Sequence, residues 1–182
     1  MLYGMNQIFD LGLSRKALME RGVKICADVP YCLMRGTALA QGIGEKLSQL
    51  PPMVKCPVLI AKPAVSVSTK FVYQNLKLDE HTIHPDIDAL IDAIRNKDFT
   101  AICGNMGNVL ESVTIPNYPV IAQIKEKMME AGANHAMMSG SGPTVFGLFE
   151  DEEIARHARD VMKESGLARQ VYLTSIYNNR RK

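Results

Sequence analysis

The sequence predicts a mixed α/β chain of the α+β type, whose larger part is a split β-α-β sheet with helices on one face. Three observations carry this. Short apolar strand-like runs stand at 58–61, 135–138, 144–149 and 171–176, separated by segments of 3.6-residue apolar period. After Pro51-Pro52 the order is strand, helices, strand, strand, helix, strand. The apolar fraction, 47% of 182 residues, fits a folded chain rather than a disordered one.

The elements follow in order. Leu2, Met5 and Phe9 mark a first helix ending near Gly12. Ser14 caps a second, with Leu18 inward and Gly22 as its stop. An apolar stretch from Val23 to Leu33 is interrupted by Ala27-Asp28-Val29-Pro30. Strands at 34–40 and 45–50 flank the turn Gln41-Gly42-Ile43-Gly44, which reads as a hairpin. Pro51-Pro52 is the best boundary in the chain. Val58–Ala61 is a buried strand, and Ser68 caps a helix starting at Thr69. Ile87, Leu90, Ile91 and Ile94 form one inner helical stripe, and Phe99, Ile102, Cys103 and Met106 another. Pro119 suits the first turn of a longer helix with Ile121, Ile124 and Met128 inward. His135–Met138 and Thr144–Phe149 are strands around Ser139-Gly140-Ser141-Gly142; Ile154, Ala158, Val161 and Met162 line a helix; Val171–Ile176 is the last strand.

Bulk composition excludes some classes. With 21 basic and 19 acidic side chains the formal charge is +2, which gives no ground for a nucleic-acid partner. The basic end Arg180-Arg181-Lys182 reads as a frayed tail. No apolar run approaches the roughly 20 residues that cross a bilayer, so no membrane partner is expected. The four cysteines, at 26, 32, 56 and 103, form no C-x-x-C pair, and with no signal peptide they predict a reducing, cytoplasmic location. His81 and His84, near Asp79, Glu80 and Asp86, read as a solvated loop, and no metal site is expected.

Three places have two readings each on their residues alone. Asp28 is either a turn-capping aspartate or a carboxylate set to accept a hydroxyl proton. Gly140-Ser141-Gly142 is either a plain hairpin turn or a loop whose backbone N–H groups approach an anion. Tyr73, with Thr69 one helical turn before it, is either an ordinary half-buried ring or one that stacks on a base.

Four segments taken together break the tie. They are Ala27-Asp28-Val29-Pro30 followed by Gly36-Thr37-Ala38 and Gly42-Ile43-Gly44-Glu45; PAVSVSTKFVY from Pro63 to Tyr73; Asn108-Val109-Leu110-Glu111; and MSGSGPTVFGLF from Met138 to Phe149. In this order and spacing the sequence resembles the GHMP family of small-molecule kinases over nearly its whole length. The resemblance implies residues 1–53 as the end of the family's N-terminal domain and 54–182 as its ferredoxin-like C-terminal domain. It implies ATP as donor with Mg²⁺, Asp28 as the catalytic residue, and Gly140, Ser141 and Gly142 near the ATP phosphates, where a Cβ on Gly142 would block their approach. The first two segments are closest to the members that phosphorylate a hydroxyl of a cytidine diphosphate conjugate in isoprenoid (terpenoid) biosynthesis, which makes Thr69 and Tyr73 substrate-binding. Two alternatives stay open: a family member acting on mevalonate, phosphomevalonate or homoserine, or a non-catalytic remnant. The second arises because the resemblance puts the principal ATP loop, G-x-G-x-x-[SG]-S, ahead of the first helix, and the sequence holds no such motif. Residues 1–50 are then expected to expose Leu2, Met5, Phe9, Val23 and Ile25 and to drive self-association.

Overall fold

Local signals in the first fifty residues set up small elements with little burial. In the computed structural model, which describes residues 1–80 and 82–178, Leu2–Ile8 forms helix α1 and buries none of its residues. Asn6 anchors the turn after it: its amide donates to the Leu13 carbonyl and its Oδ1 accepts from Leu13 N–H, both at 3.0 Å. Ser14 caps α2 (Arg15–Gly22) by accepting from Ala17 N–H. Gly22 is the last residue of α2 and not a left-handed stop. A Cβ there would lie 2.6 Å from Val29 Cγ1, so its absence lets α2 meet α3 (Val29–Met34) closely. Met34, expected in a strand, closes α3 instead. Pro30 in the first turn pre-sets the backbone for helix, and the hairpin begins only at Ala38. Strands β1 (Ala38–Gln41) and β2 (Lys46–Gln49) pair antiparallel.

The second part is built on a stronger apolar pattern. Its elements are β3 (Pro57–Lys62), α4 (Thr69–Asn75), α5 (Ile87–Asn96), α6 (Phe99–Asn105), α7 (Glu111–Asn117), α8 (Val120–Glu130), β4 (His135–Met138), β5 (Val145–Leu148), α9 (Glu152–Glu164) and β6 (Gln170–Ser175). Ser68, Asp86, Asp98 and Asp151 each accept from the N–H three residues on and so start α4, α5, α6 and α9. The sheet order is β4-β5-β3-β6, antiparallel throughout, with Leu59 opposite both Gly147 and Leu173. This is the ferredoxin-like strand order. Helix α8 packs on β4 and β5, and α9 on β3 and β6. Between helices and sheet lie Leu59, Ile121, Ile124, Met128, Val145, Phe149 and Met162, all fully buried. Ile154, expected inward, is 45% exposed; Ala155 takes the inner place, and Ile154 leans over Gly132, where a Cβ would meet it at 2.6 Å.

The chain divides into two units, Met1–Met53 with Tyr177 and Asn178, and Val54–Ile176. Among the described residues no helix is long and apolar enough to cross a membrane. His81 and the basic end Arg180-Arg181-Lys182 lie outside the described residues.

Candidate functional site

Asp28 stands in the first unit, at the residue before α3. An aspartate there normally caps its helix. This one does not: its side chain makes no capping bond, and among the described residues its exposed carboxylate has no partner. Its neighbourhood is shaped by the hairpin turn. Gly44, at φ +107°, brings that turn close to Ala27; a Cβ on it would lie 3.3 Å from the Ala27 carbonyl. Glu45 folds back over the turn and accepts from Ile43 N–H at 2.8 Å. Backbone hydrogen bonds from its own and Ile43's N–H hold the Glu45 carboxyl below the usual carboxylate range. The glycines and the glutamate of this segment thus have a local structural use beside the uncommitted Asp28.

The Ser139–Gly142 loop stands in the second unit, between β4 and β5. Ser139 N–H donates to Thr144 O at 2.8 Å, and Gly142 N–H closes the turn on Ser139 O at 3.0 Å. Gly140 and Gly142 have φ of +57° and +85°. The loop's carbonyls are largely taken by side chains. Asn108 Nδ2 donates to both Met138 O and Gly140 O at 2.8 Å, and the buried Thr114 hydroxyl donates to Ser141 O at 3.3 Å. The N–H groups of Gly140 and Ser141 have no acceptor among the described residues. Such a loop suits an anion. The expectation for Gly142 needs correcting, however. A Cβ on it would point inward, 2.6 Å from Met138 Sδ and 3.4 Å from Thr114 Cγ2, whereas a Cβ on Gly140 meets nothing within 4 Å. Gly142 serves packing under the loop, and Gly140 is the residue that leaves its open side bare.

Helix α4 brings the third place against this loop. Thr69 Oγ1 lies 2.9 Å from Ser141 Oγ. Tyr73, one turn on, is 61% exposed and lines a groove of about 430 Å³ with Leu76, Pro85, Ile87 and Asn108. Within the second unit the structure therefore brings Thr69, Tyr73, Gly140, Ser141 and Gly142 to one region. Asp28 belongs to the other unit.

Sequence reasoning gave no role to the residues that hold the loop from behind. Glu111 Oε1 accepts from Met138 N–H at 2.7 Å, and its Oε2 pairs with Lys125 Nζ at 2.5 Å. His135 lies near this pair with its Nε2 buried and without a partner among the described residues. Burial, then the Lys125 charge, push the His135 pKa below its ordinary 6.5, against a smaller opposing pull from Glu111. Among the described residues no group of three or more His, Cys, Asp or Glu is placed to hold a metal.

Residues 84–167 match the family described as GHMP kinases C terminal. The match covers 84 of the 182 residues and marks this stretch as similar to a GHMP kinase C-terminal domain. Proteins similar to this chain include a 4-diphosphocytidyl-2-C-methyl-D-erythritol kinase of Lachnospira eligens, 57% identical over 97% of the chain and 61% of the relative. Another of that name, from Lachnoclostridium phytofermentans, is 50% identical over 98% and 62%. The chain thus spans about 61% of the length of such relatives. Among solved structures, a 4-(cytidine 5'-diphospho)-2C-methyl-D-erythritol kinase superposes with TM-score 0.77 at 23% identity, over 95% of this chain and 60% of that one. A homoserine kinase from Cytophaga hutchinsonii gives 0.73 at 24%, over 96% and 60%. These two bear on the fold alone.

Proposed function

We propose that this chain is the C-terminal part of a kinase that transfers a phosphoryl group from ATP, with Mg²⁺, to a hydroxyl of 4-diphosphocytidyl-2-C-methyl-D-erythritol. Residues 1–53 then correspond to the end of the family's N-terminal domain. The observation that carries the reading is the single hydrogen-bonded link between Thr69 and Ser141. It joins a helix bearing an exposed ring to a loop bearing two free N–H groups, the two recognition tasks that a nucleotide-linked acceptor and a triphosphate donor require. Tyr73 offers a face for the cytosine, and Gly140 and Ser141 offer N–H donors to phosphate oxygens. Phosphoryl transfer of this type rests on positioning and charge stabilisation more than on covalent chemistry by the protein. Asp28 is assigned to the acceptor hydroxyl, which it orients and whose proton it accepts. Its lack of any structural partner supports that assignment.

The test joins the 182-residue chain to the N-terminal part of the Lachnospira eligens relative that it does not span. The joined protein should phosphorylate the cytidine conjugate in preference to mevalonate, phosphomevalonate and homoserine. Turnover of one of those three without the cytidine conjugate would overturn the proposed acceptor. The 182-residue chain assayed alone should show no transfer, because it holds no G-x-G-x-x-[SG]-S loop and each lost phosphate contact costs orders of magnitude in rate. Turnover by the chain alone that depends on Asp28 would overturn that part.

A further inference from the structure

We infer that Asn108 is the positioning residue that makes the Ser139–Gly142 loop face an anion with its N–H groups rather than its carbonyls; this rests on reading that loop as a phosphate site. A tight loop presents both ends of its peptide dipoles. Phosphate is attracted to the N–H ends and repelled by any free carbonyl beside them. Asn108 spends both hydrogens of one amide on this problem, at 2.8 Å to Met138 O and 2.8 Å to Gly140 O. Its own Oδ1 is fixed by Leu110 N–H at 3.0 Å, so the amide cannot turn without breaking three bonds. Thr114 does the same for Ser141 O from a fully buried position. The loop carbonyls are drawn inward, and the N–H groups of Gly140 and Ser141 are left without acceptors among the described residues. Asn108 also lines the Tyr73 groove, so the clamp and the proposed base site share one side chain.

The test uses the 182-residue chain, labelled with ¹⁵N, and inorganic triphosphate as probe. In the unsubstituted chain the amide signals of Gly140 and Ser141 should shift on titration. Asn108→Asp keeps size and the Leu110 contact but turns the double donor into an anionic acceptor. Triphosphate affinity should fall roughly tenfold or more at neutral pH, the scale of a lost hydrogen bond to a charged group. The gap between the two chains should narrow as pH falls through the ordinary carboxyl range near ~4, where the introduced carboxyl, once protonated, regains one donor. A purely structural role would not give that pH profile. Thr114→Val serves where the first variant does not fold: affinity should fall several-fold with signals remote from the loop unchanged. Equal affinity in the unsubstituted and substituted chains overturns this inference and leaves the phosphate reading standing. No shift at Gly140 and Ser141 in the unsubstituted chain overturns both.

Discussion

Asp28 has no structural employment, as its proposed role at an acceptor hydroxyl requires. A helix-capping aspartate contributes about 1 kcal/mol through its bond to the helix N–H groups, and Asp28 makes no such bond. Asp28→Asn should therefore leave the melting temperature of the joined protein unchanged. It should lower kcat about 10²-fold or more, as for a lost general base, with KM for ATP nearly constant. A raised KM for ATP at normal kcat would make Asp28 a nucleotide-binding residue. The two loop glycines separate in another way. Gly142→Ala sets a Cβ against the buried Met138 sulfur at 2.6 Å and at φ +85°, so it should cost about 2 kcal/mol or more. Gly140→Ala, at φ +57° with open space, should cost about 1 kcal/mol. Urea unfolding of both variants checks the order, and a larger loss at Gly140 contradicts the packing role of Gly142. The cysteines divide likewise. Cys26 and Cys32 are exposed, while burial pushes the Cys56 thiol up to about 11 and raises that of Cys103. Two thiols should react quickly with an aromatic disulfide in the native chain, and fast reaction of all four would refute this burial pattern.

At the scale of elements, what the sequence makes legible follows from how each element is stabilised. Strands β3 to β6 and helices α4, α5, α6, α8 and α9 can be read because caps and apolar period are local signals. Helix α7 cannot. It has seven residues with Pro116 inside, and its buried side is only Val113 and Thr114. What makes it matter is distant in sequence: Asn108 reaches Met138 and Gly140, Thr114 reaches Ser141, and Glu111 reaches Met138 and Lys125. Pattern reading sees neighbours three or four residues apart, not thirty. For the same reason the Asn108–Glu111 segment is recognisable as a motif but has no physical role until the loop is placed beside it. The Glu111–Lys125 pair also bears on pH. His135, next to it on β4, has a native pKa held below 6.5, so the unfolded chain takes up a proton first as pH falls. The stability tied to the neutral ring is complete above ~6.5 and is lost as pH falls toward the native pKa. The urea midpoint of the second unit should drop as pH falls below ~6.5, and His135→Leu should flatten that drop. The same slope in both chains would assign it to other groups.

At the scale of the whole chain, burial is distributed very unevenly. The connected apolar core runs from Leu59 to Leu173 and lies wholly in the second unit. In the first unit Leu18 is the one buried large apolar side chain among the described residues, at 3% exposure. Against it stand Tyr3, Ile8, Phe9, Leu11 and Ile25, each more than half exposed, from 52% to 77%. Met5 is 44% exposed as well, and α1 buries nothing. Apolar area left in water contributes nothing to folding, at roughly 25 cal/mol per Å² forgone. The first unit should thus open at far lower free energy than the second. Apolar side chains exposed in this number favour association. We expect residues 54–178 to fold alone with cooperative unfolding. The full chain should self-associate through residues 1–50 with rising concentration, and the double substitution Ile8→Lys and Phe9→Glu, on a helix end with no buried partners, should return it to monomer without shifting the second unit's urea midpoint. Sedimentation and amide hydrogen exchange read both halves of this expectation. A full chain that stays monomeric at high concentration, with exchange protection in residues 1–50 equal to that of the sheet, would show that the first unit is held by its own packing and needs no other surface.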